Sequence, residues 1–181
     1  MAKLISKTYG DALFELAVEE DKIDVLLEEI LQLQKVLSDN KDFGRLMNHP
    51  KIINEEKIQV ARNVFEGRVS DELLGFLTII ISKDRYKDID AILDYFVAEV
   101  KRHKGIGVAT VTTALPLRQE QCRKIEQRLL DTTDYVKMEM HYEVEEALIG
   151  GMVVRIGDRV VDSSIRTKLN ELQKELLKVQ I

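Results

Sequence analysis

Arg155, Asp158, Arg159, Asp162 and Arg166 stand within a dozen residues of one another. Carboxylates beside guanidinium groups are the ingredients of acid–base and charge-stabilising catalysis. Such chemistry also needs a nucleophile or a base, and this stretch supplies neither. A turn and a helix cap account for the acids, with the arginines pairing to them. His49, His103 and His141 occur in three unlike contexts, with no second histidine or cysteine at a metal-ligand spacing and no repeated Asp pattern. Cys122, flanked by Gln121 and Arg123 in a helical stretch, has no activating base beside it and reads as a structural thiol. Gly105-Ile106-Gly107 and Gly150-Gly151 each lead into a strand, whereas a phosphate cradle leads into a helix. No catalytic residue, cofactor or metal ligand is expected.

Composition points the same way. Lys and Arg total 27 against 32 Asp and Glu, a formal charge of -5, which is the wrong sign for a surface that neutralises phosphates. Nucleic acid is not an expected partner. At 181 residues and 45% hydrophobic, the chain has enough apolar surface for a real core, in one large domain or two modest ones. Its single cysteine cannot form an internal disulfide, and no charged-then-apolar leader opens the chain, so a reducing compartment is expected. The longest apolar run, Leu73 to Ile81, is broken by Gly75 and Thr78 and is far shorter than the roughly 20 residues a bilayer span requires, so no direct membrane insertion is expected.

The elements that must position these residues change character near Gly105-Ile106-Gly107. Before it, helical periodicity dominates. Ile5, Tyr9, Ala12, Leu13 and Leu16 repeat at spacings of four and three, and Ile23, Leu26, Leu27, Ile30, Leu33 and Leu37 form a second stripe over 22–37 with Glu28, Glu29, Gln32 and Lys35 facing outward. A short helical piece over 42–47 stops before Pro50. Asn54 is expected to cap a fourth helix and Ser70 a fifth, with Asp71 and Glu72 in its first turn. Apolar residues in that fifth helix cover nearly every direction, which predicts a buried central helix. A sixth, over 86–104, carries Ile89, Ile92, Leu93, Phe96, Val97 and Val100 on one side.

After the glycines, Val108 to Leu115 has strand composition, and Pro116 is expected to open a helix to about Leu130. Val136, Met138, Met140, Tyr142 and Val144 alternate with charged and polar neighbours, so one face of that strand should meet a core. Gly157-Asp158 between Met152–Ile156 and Val160-Val161 predicts a two-residue type II′ hairpin. Asp162, Ser163 and Ser164 offer cap oxygens to a last helix whose Ile165, Leu169, Leu172, Leu176 and Val179 form a narrow seam, able to pack on its own sheet or on another coiled coil. The expected fold is mostly α: an N-terminal six-helix bundle over 1–105 and a small C-terminal α/β domain over 106–181 with a short mixed or antiparallel sheet.

The run from Gly150 to Arg166, with its glycine pair, the Arg155-x-Gly157-Asp158 hairpin and the Asp162-x-Ser164 turn into the final helix, resembles the delta subunits of bacterial F-type ATP synthases, relatives of the mitochondrial oligomycin-sensitivity-conferring protein. Tyr9-Gly10-Asp11-Ala12-Leu13-Phe14 is similar to the family's Tyr-Ala-x-Ala-Leu-Phe segment, with Gly10 where alanine is usual. Asn48-His49-Pro50 and Asp84-Arg85-Tyr86 match its other marks more loosely. The resemblance covers the whole chain. It implies a non-catalytic stator subunit, one copy per complex, at the cytoplasmic face of the bacterial plasma membrane. It further implies a groove between the first and fifth helices that binds the N-terminal helices of the alpha subunits, here Tyr9, Ala12, Leu13, Leu16, Phe76, Leu77, Ile79 and Ile80. The C-terminal domain is implied to hold the b subunits of the peripheral stalk, with Gly150, Gly151, Arg155, Gly157, Asp158, Asp162, Ser164, Arg166, Leu169, Leu172 and Leu176 on its signature and stalk side. A freestanding helical adaptor is the alternative reading of the helical half.

Overall fold

The computed structural model describes residues 2–179, with side chains described over 4–177. The chain divides into two compact units between Val100 and Lys101, inside the last helix of the first unit. That first unit contains α1 (Ala2–Glu19), α2 (Ile23–Asp39), α3 (Lys41–Met47), α4 (Asn54–Phe65), α5 (Asp71–Ser82) and α6 (Ile89–His103), the last preceded by a 3-10 turn at Tyr86–Asp88. Their apolar stripes converge on one core, in which Leu13, Leu26, Ile30, Leu73, Ile80, Ile92, Leu93 and Phe96 are fully buried. Each such side chain contributes about 1.5–3 kcal/mol over leaving it in water. Phe43 meets Phe65 and Tyr86 edge-on, at 5.6 and 6.1 Å between ring centres, and so fastens the short α3 to α4 and the 3-10 turn.

Caps differ from expectation in an instructive way. Ser70 does cap α5, accepting from the Leu73 N–H at 3.4 Å. Its own hydroxyl donates to Glu29 at 2.7 Å, and its N–H donates to both Glu29 oxygens at 3.1 Å. Glu29, expected to face solvent, therefore ties α2 to the start of α5. Asn54 is not a cap: Ile53 holds that position in extended conformation, and Asn54 is the first helical residue, its amide near the Ser82 carbonyl at 3.5 Å.

The second unit is built on a mixed four-stranded sheet ordered β2-β1-β3-β4, from β1 (Ile106–Thr113), β2 (Lys137–Val144), β3 (Met152–Ile156) and β4 (Arg159–Asp162). β1 pairs parallel with β2 and antiparallel with β3, and β3 pairs antiparallel with β4. The parallel pair needs a crossover, which α7 (Gln119–Thr132) supplies by packing on β2. Pro116 does not open this helix but lies in the loop before it. The helix starts where the Gln121 side chain accepts from the Arg118 N–H at 2.9 Å. Register places Ala109, Val111 and Thr113 on the inner face beside Met138, Met140, Tyr142 and Val144. Only Met138 of the four on β2 is fully buried, because β2 is an edge strand whose far end leaves Tyr142 and Val144 exposed. A 3-10 turn at Glu146–Leu148 and α8 (Ile165–Val179) complete the unit.

Candidate partner-binding surfaces

In the first unit, α1 and α5 leave a groove of about 310 Å³ between them, lined by Ala12, Leu13 and Leu16 from α1 and by Asp71, Glu72, Gly75, Phe76 and Ile79 from α5. Its walls are apolar except at the start of α5. Ile79 stands at the groove 51% exposed, on the side of α5 that also carries the exposed Asp71, Gly75 and Ser82. The fifth helix is thus not buried all round. Gly75 adds no side chain to the groove wall, and nothing lies within 4 Å of where a β-carbon would be. Leu77 and Ile80, expected on the groove, are 2% and 0% exposed and point into the core instead. Tyr9 is half-buried against that core and does not line the groove. Asp71, Glu72 and Gly75, which do, were not among the expected residues, although their helical spacing from Ile79 was visible. Lys22, at the start of α2, bonds Glu72 and also reaches Glu20 at 3.3 Å. The Lys22 hydrogen bond holds the Glu72 carboxyl below its usual range, and its counterpart raises the ammonium.

In the second unit the Arg–Asp constellation resolves into architecture. Gly157 alone of the hairpin's central pair has positive φ, at 55°, as a type II′ turn requires, and Ile156 pairs with Arg159 across it. Asp162 accepts from the Ser164 N–H at 2.8 Å and from the Thr167 hydroxyl at 2.7 Å, and Ser164 Oγ accepts from the Thr167 N–H at 3.2 Å. These bonds, the Ser164 backbone one first, lower the Asp162 pKa. Arg166 reaches Glu145 at 2.9 Å instead of the nearby aspartates, while Arg155, Asp158 and Arg159 make no ion pair among the described residues. The glycine pair lies under this turn: the Ile165 N–H donates to the Gly150 carbonyl at 3.0 Å, and Ser163 donates twice to the Met152 carbonyl at 2.9 Å. Next to them Ile149 is held at φ 66°, a region β-branched residues rarely enter.

The seam of α8 is left open. Ile165, Leu169, Leu172 and Leu176 are 42%, 51%, 55% and 69% exposed, so the sheet does not cover it; the side chain of Val179, also placed on the seam, lies outside the described residues. Among the described residues no group of His, Cys, Asp and Glu could hold a metal ion, and no helix is long and apolar enough to cross a membrane.

The first unit thus has an open apolar groove and the second an uncovered amphipathic helix, with Asp162 committed to the turn that starts it; exposed apolar surfaces of this kind are typical of chains that pack against other chains. Comparison with known proteins shows the family. Residues 5–176 match the family model described as ATP synthase delta (OSCP) subunit. The chain is 51% identical to the ATP synthase subunit delta of Lachnoclostridium phytofermentans over 181 residues, all of both chains, and 33% identical to that of Alkaliphilus oremlandii, again over the full length of both. It shares its fold, at a TM-score of 0.74 and 20% identity, with a chain of the Toxoplasma gondii mitochondrial ATP synthase hexamer, over 95% of this chain and 97% of that one. The chain belongs to the ATP synthase delta (OSCP) family, the non-catalytic peripheral-stalk subunits of the F-type ATP synthase.

Proposed function

We propose that the six helices of the first unit work as a bundle that grips the N-terminal helices of the alpha subunits in the α1–α5 groove, while the second unit holds the end of the b subunits on α8. One copy per complex, at the cytoplasmic face of the membrane, then ties the catalytic head to the stalk and resists rotor torque. A stator needs slow dissociation more than it needs chemistry. The observation that carries this reading is Ile79, half-exposed beside a groove whose walls are apolar except at Asp71 and Glu72. An amphipathic helix laid into such a groove gains most of its affinity from a few apolar anchors.

Titration of an alpha N-terminal peptide into the full chain tests the first grip. Ile79→Ala is expected to cost about 1–3 kcal/mol of binding, the range of an interface anchor, and wild-type affinity in that variant would discard the groove. For the second grip, Leu172→Glu with Leu176→Glu is expected to abolish recovery of b subunits while leaving the fold intact, since both side chains are more than half exposed. Unchanged recovery would remove α8 from the interface.

A further inference from the structure

Among the described residues β2 has a strand on one side only, β1, and its other edge is free. Its eight residues pair with β1 in unbroken register, without a bulge, and none of them is proline. The opposite edge of the sheet, β4, has four residues and runs straight into the turn that caps α8. A long, regular edge is the kind that recruits a further strand. Apolar side chains along β2 are left in water as well: Val136 just before it is 82% exposed, and Tyr142 and Val144 are 40% and 53% exposed.

The hydrogen bonds at its two ends show which residues address that free edge. Lys137 donates its N–H to the Gly105 carbonyl at 3.4 Å, and Glu145, one residue past the strand, donates to the Thr113 carbonyl at 2.8 Å. Odd-numbered residues therefore direct their backbone groups to β1. By alternation Met138, Met140 and Tyr142 direct theirs to the free edge, and their side chains share the inner face.

Read outward from Met140, this segment complements itself. Val136 stands opposite Val144, Lys137 opposite Glu143, Met138 opposite Tyr142 and Glu139 opposite His141. We propose that two copies of this chain pair antiparallel along β2, about a two-fold axis through Met140, so that their sheets run on as one. Met138 with Tyr142 of the second copy, and Met140 with its own counterpart, then exchange N–H and carbonyl bonds. The odd-numbered pairs fall at the non-bonded positions, where side chains approach most closely. There Lys137 meets Glu143 of the second copy; neither has an ion pair among the described residues of a single chain. Glu139 keeps Lys101 on Oε2 at 2.6 Å and has Oε1 left to accept from the His141 ring of the second copy. Such a pair covers the edge while the chain is outside the complex. It goes beyond the two grips proposed above, which a single copy makes.

One strand against one is a smaller contact than the interfaces of permanent dimers, so association depends on concentration. Sedimentation of the full chain is expected to show a monomer passing to a dimer as concentration rises. Hydrogen exchange at Met138, Met140 and Tyr142 should slow in step, while that at Glu139 and His141, already bonded to β1, should not. Lys137→Glu sets like charges opposite each other twice and should weaken the dimer about ten-fold or more, as should Glu143→Lys. The two variants mixed together, or both changes in one chain, restore opposite charges at every such position and should restore the dimer. Lys137 and Glu143 are exposed, so these changes leave the inner face of the sheet as it is. Leu172→Glu with Leu176→Glu should leave the dimer intact. A monomer at every concentration, a dimer indifferent to both charge reversals, one that mixing does not restore, or one that the α8 variant dissolves would each overturn the proposal.

Discussion

Gly151 lies directly beneath Ser163: a β-carbon on it would be 3.0 Å from Ser164 Cα and closer still to the Ser163 carbonyl oxygen. The glycine also holds φ at 77°, so two independent constraints exclude a side chain. Gly157, at φ 55°, has nothing within 4 Å of its would-be β-carbon. Alanine should therefore cost Gly157 only the left-handed penalty of about 1–2 kcal/mol. At Gly151 the contact with immobile backbone adds to that penalty, for a total above about 2 kcal/mol. Hydrogen exchange over 145–167 reads both, and equal losses at the two sites would refute the packing argument.

Asp162 makes the stability of this region depend on pH. Hydrogen bonds from Ser164 and Thr167 lower its folded pKa, so its contribution is fully present above the unfolded value of about 3.9 and is lost as pH falls through the folded value. Asp162→Ala should destabilise the start of α8 at pH 7, and the gap from wild type should begin to narrow only as pH falls below about 4. Melting curves at pH 7 and pH 3 measure that gap. A gap constant across the range would mean that the carboxylate is not the group responsible.

Gly10 presents a conflict between local and tertiary preference. Alanine would improve α1 by about 1 kcal/mol on helix propensity. Its β-carbon would collide with the ring of Tyr95, whose Cγ would lie 3.2 Å away and whose hydroxyl donates to Asp11 at 2.8 Å. Burial, with the Asp11 bond next, pushes the Tyr95 pKa up to about 12. Gly10→Ala is expected to destabilise by about 1–3 kcal/mol, the usual cost of overpacking, and to become neutral or stabilising once Tyr95→Ala has cleared the ring. Urea denaturation of the two single variants and the double variant closes the cycle.

How far the sequence foretold all this depended on whether a feature was local. The hairpin at Gly157-Asp158, the period-2 run over 136–145 and the Ser70 cap are set by adjacent residues, and each formed within a residue or so of its expected place. Glu29 could not be read correctly, because its partner Ser70 is 41 residues away. Asn54 and Pro116 have the right chemistry for helix starts, but neighbours one to three positions away took those roles. The narrow seam of α8 was visible as periodicity, while its being uncovered was not, since that depends on where the sheet ends. On α5 the apolar residues point in nearly all directions, so periodicity alone could not decide which side faces α1. Packing decided it, leaving Gly75 and Ile79 outward and Leu77 and Ile80 inward.

That phase on α5 separates stability from binding at neighbouring residues. Ile80 is fully buried in the core of the first unit, so Ile80→Ala should cost about 2–5 kcal/mol, the range for deleting a buried aliphatic. Ile79 loses little when truncated in the free chain, because half of it already meets water. Ile79→Ala should accordingly stay within about 1 kcal/mol of wild type in thermal or chemical unfolding while weakening any helix seated against α1 and α5. Unfolding and peptide titration on the same two variants make the comparison. If Ile79→Ala proved as destabilising as Ile80→Ala, Ile79 would be a core residue, and the groove would lose its principal anchor.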